Sequence, residues 1–211
     1  MGIPVMILGA SGSGKSTSLR NFSPDEIGIF NVASKPLPFR SSKDMNIVNG
    51  ATYSGITKSL NKNTFKAYVI DDSQYLMAFE MFGRAKETGY NKFTDMAQNF
   101  YNLIQTIIKD TSPDTIVYFL HHTETVDGHL KAKTIGKMLD EKLTVEGLFS
   151  IVLYCYSDEQ EHYFITQSDG TTTAKSPMEM FPLKIDNDLK MVDTTIREYY
   201  ELNGGNNNES I

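Results

Sequence analysis

The feature that most constrains the fold is a glycine-rich stretch near the amino terminus. Residues 9–16 read Gly-Ala-Ser-Gly-Ser-Gly-Lys-Ser and match the pattern G-x-x-x-x-G-K-[S/T] at every fixed position. The apolar run Ile3 to Leu8 before it predicts a buried strand, and Lys15 to Phe22 predicts a helix. A strand, a glycine-rich turn and a helix in this order are typical of a phosphate-binding loop.

Each residue type in this loop has a chemical reason. Glycine lets the backbone curl so that successive N–H groups point at a phosphate. We expect Lys15 to contact the β- and γ-phosphates, Ser16 to bind Mg²⁺, and Thr17 to support the loop or the α-phosphate. The alternative is a glycine-rich turn with a surface lysine, and the flanking strand and helix argue against it. We therefore predict ATP and Mg²⁺ as cofactors, bound by Gly9, Ala10, Ser11, Gly12, Ser13, Gly14, Lys15, Ser16 and Thr17.

A second apolar run ends in two acidic residues. Ala67 to Ile70 predicts a buried strand, and Asp71 and Asp72 follow it directly. We expect Asp71 to be the metal-side acid, because a carboxylate at a strand end beside the loop can orient the Mg²⁺ shell. Asp72 is then the candidate that polarises the attacking water. The alternative is that one aspartate only caps a helix starting near Gln74.

Polar residues also end the predicted strand Thr115 to Leu120. His121, His122 and Thr123 follow it, where α/β proteins place ligand-facing groups. Adjacent strand residues point to opposite faces, so the two histidines do not form a metal site together. His122 or Thr123 is the candidate γ-phosphate sensor, and a histidine buried in the core or exposed on the surface is the alternative.

The remaining pattern predicts an α/β fold. Strands alternate with helices over the first 120 residues, which indicates a mainly parallel sheet flanked by helices. A late pair of strands predicts an antiparallel hairpin at one edge. We expect one domain over residues 1–203 and a disordered polar tail over 204–211. The other predicted elements are a strand at 27–33, helices at 54–60, 92–109 and 185–201, and the hairpin strands at 148–156 and 162–167.

Composition excludes several classes of protein. The net charge of −6 over 211 residues argues against a protein that coats nucleic acid with its whole surface. No stretch of about 18 apolar residues predicts a membrane span, and the single cysteine fits a reducing cytoplasm. The segment 124–142 contains a local lysine cluster, Lys131 and Lys133. That cluster is expected either to contact a nucleic-acid backbone or a neighbouring nucleotide, or to be a solvated loop.

Taken together, these residues resemble the RecA-like ATPases of bacteriophages that are akin to Sak-type single-strand annealing recombinases. The resemblance covers nearly the whole chain except the tail. The segments that carry it are residues 9–17, 35–39, 69–73, 121–124, 174–181 and 185–189.

The resemblance implies a P-loop NTPase of RecA-like type that binds ATP or ADP between subunits of a homo-oligomeric ring or filament. It further implies ATP hydrolysis linked to single-stranded DNA in phage recombination or replication, in the host cytoplasm. Related ring ATPases use a Lys-x-Arg pair to reach the neighbour's γ-phosphate. Lys175 matches the lysine, with Lys184 as an additional candidate, but Pro177 stands where the arginine would be.

A second departure concerns the catalytic base. RecA-type proteins place a glutamate after the second strand, whereas residues 31–35 here contain no carboxylate. Unless Asp72 acts as the base, as the second acid does in AAA-type enzymes, ATP hydrolysis is expected to be slow. Two alternatives stay open: a nucleotide-gated module with little turnover, and a small-molecule P-loop kinase. The scarcity of arginines and the lack of a lid-like cluster of them disfavour the kinase.

Overall fold

The computed structural model describes residues 1–136, 138–158 and 161–202, with residues 140 and 141 described by their backbone only. The polar tail predicted at 204–211 lies outside these residues. Within the described part of the chain, no helix is both long enough and apolar enough to cross a membrane.

Nine strands of the described chain form a mixed sheet with the order β3-β2-β4-β5-β1-β7-β8-β9, and β6 pairs with β5 off this path. Every pairing from β3 to β7 is parallel, whereas β8, β9 and β6 pair antiparallel. The strands are β1 Ile3–Gly9, β2 Ile27–Asn31, β3 Asn46–Asn49, β4 Ala67–Asp71, β5 Ile116–Val126, β6 His129–Ala132, β7 Ile151–Ser157, β8 His162–Ile165 and β9 Lys184–Asp186. The predicted α/β class and mostly parallel sheet are thereby confirmed.

Helices cover both faces of the sheet. On one face the apolar side chains of α1, α2 and α3 pack against the sheet, and on the other face those of α4 and of a short 3₁₀ helix do so. Helix α3 buries one stripe of its surface, because its apolar residues recur every three or four positions. The helices are α1 Tyr53–Leu60, α2 Gln74–Gly83, α3 Asn91–Asp110 and α4 Leu189–Tyr199, with short 3₁₀ turns at Ser16–Asn21, Arg40–Asp44 and Val145–Leu148 and a π turn at Met138–Leu143.

Three predictions about elements are wrong in part. The predicted helix at 185–201 begins only at Leu189, because Lys184–Asp186 pairs with β8 and the Asp188 side chain caps the helix. The segment 124–142 is not a plain loop: β5 continues to Val126 and pairs with β6. The helix after the glycine-rich loop is a 3₁₀ helix of six residues, Ser16–Asn21.

Candidate functional site

The strand order brings the sequence-predicted residues to one place. β5 lies between β1 and β4, and all three run parallel. Their carboxyl ends therefore meet at one edge of the sheet. A cavity of about 370 Å³ opens there, which we call the phosphate-loop cleft. It is lined by Ser11, Gly12, Gly14, Lys15, Ser16, Thr17, Lys35, Pro36, Pro38, Asp71, Asp72, His122 and His162.

The loop backbone requires glycine at two positions. Gly12 has φ of +81° and Gly14 has φ of +101°, a region that side chains disfavour. A Cβ on Gly14 would also lie 2.9 Å from Nδ1 of His162. Because the following helix has only six residues, its dipole is small, and anion binding depends chiefly on the loop N–H groups.

Lys15 lies over the loop that precedes it. Its Nζ donates hydrogen bonds of 2.8 Å to the carbonyl oxygens of Gly9 and Ala10. The side chain is buried, and this burial lowers the pKa of Lys15. The buried Oγ of Ser13 has no hydrogen-bond partner among the described residues. Of these two groups, only Lys15 lines the cleft, so the loop offers a cation there.

Ser16 and Asp71 are joined by a hydrogen bond between two side-chain oxygens. Ser16 Oγ donates a 2.8 Å hydrogen bond to Asp71 Oδ1. Burial raises the pKa of Asp71, with the Ser16 hydrogen bond opposing it. Mg²⁺ prefers hard oxygen ligands and commonly takes only one or two from protein. A hydroxyl beside a desolvated carboxylate fits that ion.

Asp72 has a different environment from Asp71. Its Oδ2 lies 2.6 Å from Lys35 Nζ, and its Oδ1 lies 3.0 Å from His122 Nε2. Burial opposes its ionisation, but the hydrogen bonds from His122 and Lys35 outweigh burial and lower the pKa of Asp72 to about 2. Asp72 also has φ of +60°, a strained backbone for a residue with a side chain.

The two histidines point to opposite sides of β5, as predicted. His121 is fully buried, with Nδ1 2.8 Å from Ser73 Oγ and Nε2 2.9 Å from the carbonyl oxygen of Lys133. Burial lowers the pKa of His121 to about 4. His122 lines the cleft instead, beside Asp72. His121 is thus a core residue, and His122 is the histidine of β5 that lines the cleft.

Of the predicted residues, Gly9, Ala10 and Ser13 of the loop do not line the cleft, and neither do Thr123, Lys175 and Lys184. Thr123 lies within the β5–β6 pairing, opposite Ala132. The backbone of Lys175 pairs with that of Val152, and Lys184 forms an ion pair of 2.7 Å with Glu161. The role of Thr123 as γ-phosphate sensor, and that of Lys175 and Lys184 toward a neighbouring subunit's nucleotide, stay predictions.

The sequence did not predict three residues that hold the loop or its acid. They are Lys35, which pairs with Asp72, and His162 and Asn187, which contact the loop. His162 Nδ1 lies 2.9 Å from the carbonyl oxygen of Ser13, and Asn187 Nδ2 donates a 3.3 Å hydrogen bond to the carbonyl oxygen of Gly14. These partners are 149 and 173 positions apart along the chain. No local sequence pattern identifies His162 and Asn187 as loop contacts, because they reach the loop only when the late strands pack beside it.

The structure also assembles a row of aromatic residues that the sequence did not reveal. Tyr156 lies between Tyr154 and Tyr163, with ring centroids 6.2 and 5.4 Å apart. Lys184 Nζ lies 3.9 Å from the centroid of Tyr163. These residues line a cavity of about 640 Å³, which we call the tyrosine groove.

No protein-family model matches the sequence, and no curated protein is significantly similar to it. The resemblance to RecA-like ATPases therefore rests on the sequence motifs of the chain alone.

Proposed function

We propose that the chain is a RecA-like P-loop ATPase that binds ATP with Mg²⁺ in the phosphate-loop cleft and hydrolyses it. The observation that carries this proposal is the convergence of Lys15, Ser16, Asp71 and Asp72 at adjacent strand ends. Together they offer a cation, a hydroxyl and two carboxylates in different electrostatic states. This is the set of groups that phosphoryl transfer needs.

Ser16 and Asp71 would hold Mg²⁺. When bound, the ion would neutralise charge on the phosphate oxygens. Lys15 would exchange the carbonyls of Gly9 and Ala10 for phosphate oxygens, because an anion is a stronger partner for an ammonium than a carbonyl is. Burial makes this exchange more favourable, since the desolvated Lys15 lacks water as an alternative partner.

Asp72 would orient the water that attacks the γ-phosphate. With a pKa of about 2 its carboxylate is ionised at neutral pH and accepts hydrogen bonds strongly, but it is a weak base. Phosphoryl transfer depends mainly on positioning and electrostatic stabilisation, so a water-orienting acceptor is sufficient. His122 would hold Asp72 and face the γ-phosphate, as its place in the cleft allows.

Single-stranded DNA is the proposed macromolecular partner, in phage recombination or replication. The resemblance motivates this part of the proposal, and the tyrosine groove supports it. Tyr156 is exposed in this groove and Lys184 lies over Tyr163, and unpaired bases stack on such rings. In a homo-oligomeric ring or filament, Lys175 would act on the neighbour's nucleotide.

One observation favours a second candidate, a nucleotide-gated module with little turnover. Lys35 and His122 occupy both oxygens of Asp72, which leaves this carboxylate less free to hold water. Asn31, at the end of β2, bonds to the Lys35 carbonyl and to Asn49 rather than supplying a carboxylate. Such a protein would bind ATP tightly and turn it over slowly.

The test is ATP turnover by the purified chain with and without single-stranded DNA, beside the Lys15→Ala variant. Lys43→Ala is the matched control, because Lys43 lies outside the cleft. We expect turnover that rises with DNA and is lost in Lys15→Ala alone. Nucleotide binding without turnover in either condition would exclude the ATPase and leave the nucleotide-gated module.

A further inference from the structure

Lys35 brings a positive charge into the phosphate-loop cleft from outside the glycine-rich loop. It lines the cleft together with Lys15 and Ser16. Its Nζ lies 2.6 Å from Asp72 Oδ2 and 5.1 Å from the ring centroid of Tyr75. The hydrogen bond to Asp72 raises the pKa of Lys35, so this side chain is charged at neutral pH. Two lysine ammonium groups from different parts of the chain thus face one cleft.

Folding stability does not explain the ion pair between Lys35 and Asp72. The Lys35 side chain is 60% exposed, and exposed ion pairs contribute little to folding because water screens them. The backbone nevertheless adopts a costly conformation at both ends of the pair, with φ of +55° at Ser34, next to Lys35, and +60° at Asp72. Strain of this kind concentrates at functional sites, so the pair points to a role in the cleft.

The backbone of Lys35 is held in place while its side chain stays exposed. The carbonyl oxygen of Lys35 accepts a 2.7 Å hydrogen bond from Asn31 Nδ2, and Asn31 is buried at the end of β2. Asn31 also donates a 2.9 Å hydrogen bond to Asn49 Oδ1. Pro36 follows directly and disfavours a helical backbone at Lys35. A fixed backbone with a long exposed side chain lets the ammonium group adjust to a ligand in the cleft.

The Lys35 ammonium group has more donors than it uses. It carries three N–H donors, and Asp72 Oδ2 is the hydrogen-bond acceptor that the described residues place on it. Asp72 is ionised at neutral pH and would repel a triphosphate in the same cleft. A cation that contacts both anions would remove this repulsion. Lys35 can therefore keep its contact with Asp72 and donate to a phosphate oxygen as well.

We infer that Lys35 is a specificity residue that binds the γ-phosphate of the nucleotide, alongside Lys15. The inference rests on the proposed ATPase function, in which Asp72 orients the water that attacks this phosphate. A cation 2.6 Å from Asp72 then lies beside the same phosphate. Hydrogen bonds between ions are stronger than those between neutral groups, so this contact favours the nucleotide that has a γ-phosphate. Lys35 thereby distinguishes ATP from ADP.

A different explanation is that Lys35 only neutralises Asp72. Loss of Lys35 would then weaken ATP binding because the bare Asp72 carboxylate repels the γ-phosphate. The two explanations differ in an Asp72→Asn chain, which lacks that negative charge. A direct contact between Lys35 and the γ-phosphate still contributes to ATP binding there, whereas neutralisation of Asp72 does not.

The test is the affinity of the purified chain for ADP and for a non-hydrolysable ATP analogue, both with Mg²⁺, which needs no turnover. The variants are Lys35→Met, Asp72→Asn and the double variant. Lys66→Met is the matched control, because Lys66 also pairs with an aspartate, at 2.7 Å, and is 51% exposed, but does not line the cleft. Urea unfolding of each variant checks that it is folded.

We expect Lys35→Met to weaken binding of the ATP analogue at least about tenfold and binding of ADP less than about twofold, with or without Asp72→Asn. Lys66→Met should change neither affinity. Equal weakening for the two nucleotides would overturn the inference, and so would a loss for the analogue that disappears in the Asp72→Asn chain. Analogue binding that depends on Lys15 but not on Lys35 would overturn the inference alone. No binding of either nucleotide would overturn the proposed ATPase as well.

Discussion

His122 Nε2 lies 3.0 Å from Asp72 Oδ1, so the end of β5 holds the acid that follows β4. Lys35 holds the other oxygen of the same carboxylate. Asp71, one residue earlier, instead accepts from Ser16. Two adjacent aspartates thus have opposite pKa shifts, one lowered and one raised.

This difference predicts distinct effects of the two acid-to-amide changes. Asp72→Asn should reduce ATP turnover at least about 100-fold while leaving nucleotide affinity within about twofold, because it alters only the water-orienting group. Asp71→Asn should weaken Mg²⁺-dependent nucleotide binding itself. Turnover assays and titration with a fluorescent ATP analogue, each with and without Mg²⁺, separate the effect on turnover from the effect on nucleotide binding. Equal loss of affinity in both variants would contradict the assignment.

The ion pair with Lys35 makes a prediction about the pKa of Asp72. In Lys35→Met the pKa of Asp72 should rise from about 2 toward its ordinary 3.8, because the hydrogen bond and the positive charge of Lys35 are lost. Carboxyl-carbon NMR titration measures this. Lys66→Met is the control, since Lys66 forms a similar exposed pair with Asp114 at 2.7 Å. Lys66→Met should leave the pKa of Asp72 unchanged, and a shift of that pKa in Lys66→Met would indicate a global effect.

The loop glycines should differ in their tolerance of alanine. Gly12→Ala adds only backbone strain, about 1 kcal/mol, because nothing lies within 4 Å of its Cβ position. Gly14→Ala adds the same strain and a contact with His162, so it should destabilise more and weaken ADP binding. Urea unfolding and ADP titration test this. Gly83→Ala, with open space and an ordinary φ, should be neutral or slightly stabilising.

Buried His121 predicts a loss of stability in mild acid. Its pKa is about 4 when folded and 6.5 when unfolded, so only the unfolded chain gains its proton between these values. The contribution of neutral His121 is therefore complete above pH 6.5 and is lost as the pH falls toward 4. From pH 7.5 to 5.5 this should cost about 1 kcal/mol of unfolding free energy.

Urea unfolding at both pH values measures that cost. His121→Gln should show a smaller difference in stability between them, whereas His129→Gln, on an exposed residue of β6, should behave like the unmodified chain. An unchanged pH dependence in His121→Gln would contradict the assignment to His121.

The tyrosine groove predicts a stacking contribution to strand binding. Tyr156→Ala should weaken binding of a mixed-sequence single strand by about 1–3 kcal/mol. Tyr199→Ala is the matched control, because Tyr199 is 43% and Tyr156 is 42% exposed and each ring contacts a neighbouring tyrosine. An equal loss of strand affinity in Tyr156→Ala and Tyr199→Ala would indicate that the strand contacts the protein surface non-specifically. The salt dependence should be shallow, because Glu161 pairs with Lys184 in the groove.

Local sequence patterns were sufficient for much of this architecture. The run before Gly9, the run before Asp71 and the periodicity of 92–109 each predicted an element that the structure contains. The spacing of apolar residues and the positions of glycines determine local structure over a few residues, so they predict helices, strands and turns without knowledge of the fold. The short strand β3 was missed because only one of its four residues is partly buried and none fully.

Tertiary structure alone decided how the candidate site is completed. The sequence by itself determined the glycine-rich loop, the paired aspartates and the polar end of β5, because each follows directly on a recognisable strand. It did not reveal that Lys35 and His122 share Asp72, or that His162 braces Ser13. Those contacts join residues far apart in the chain, and only the order in which the strands pair brings them within hydrogen-bonding distance.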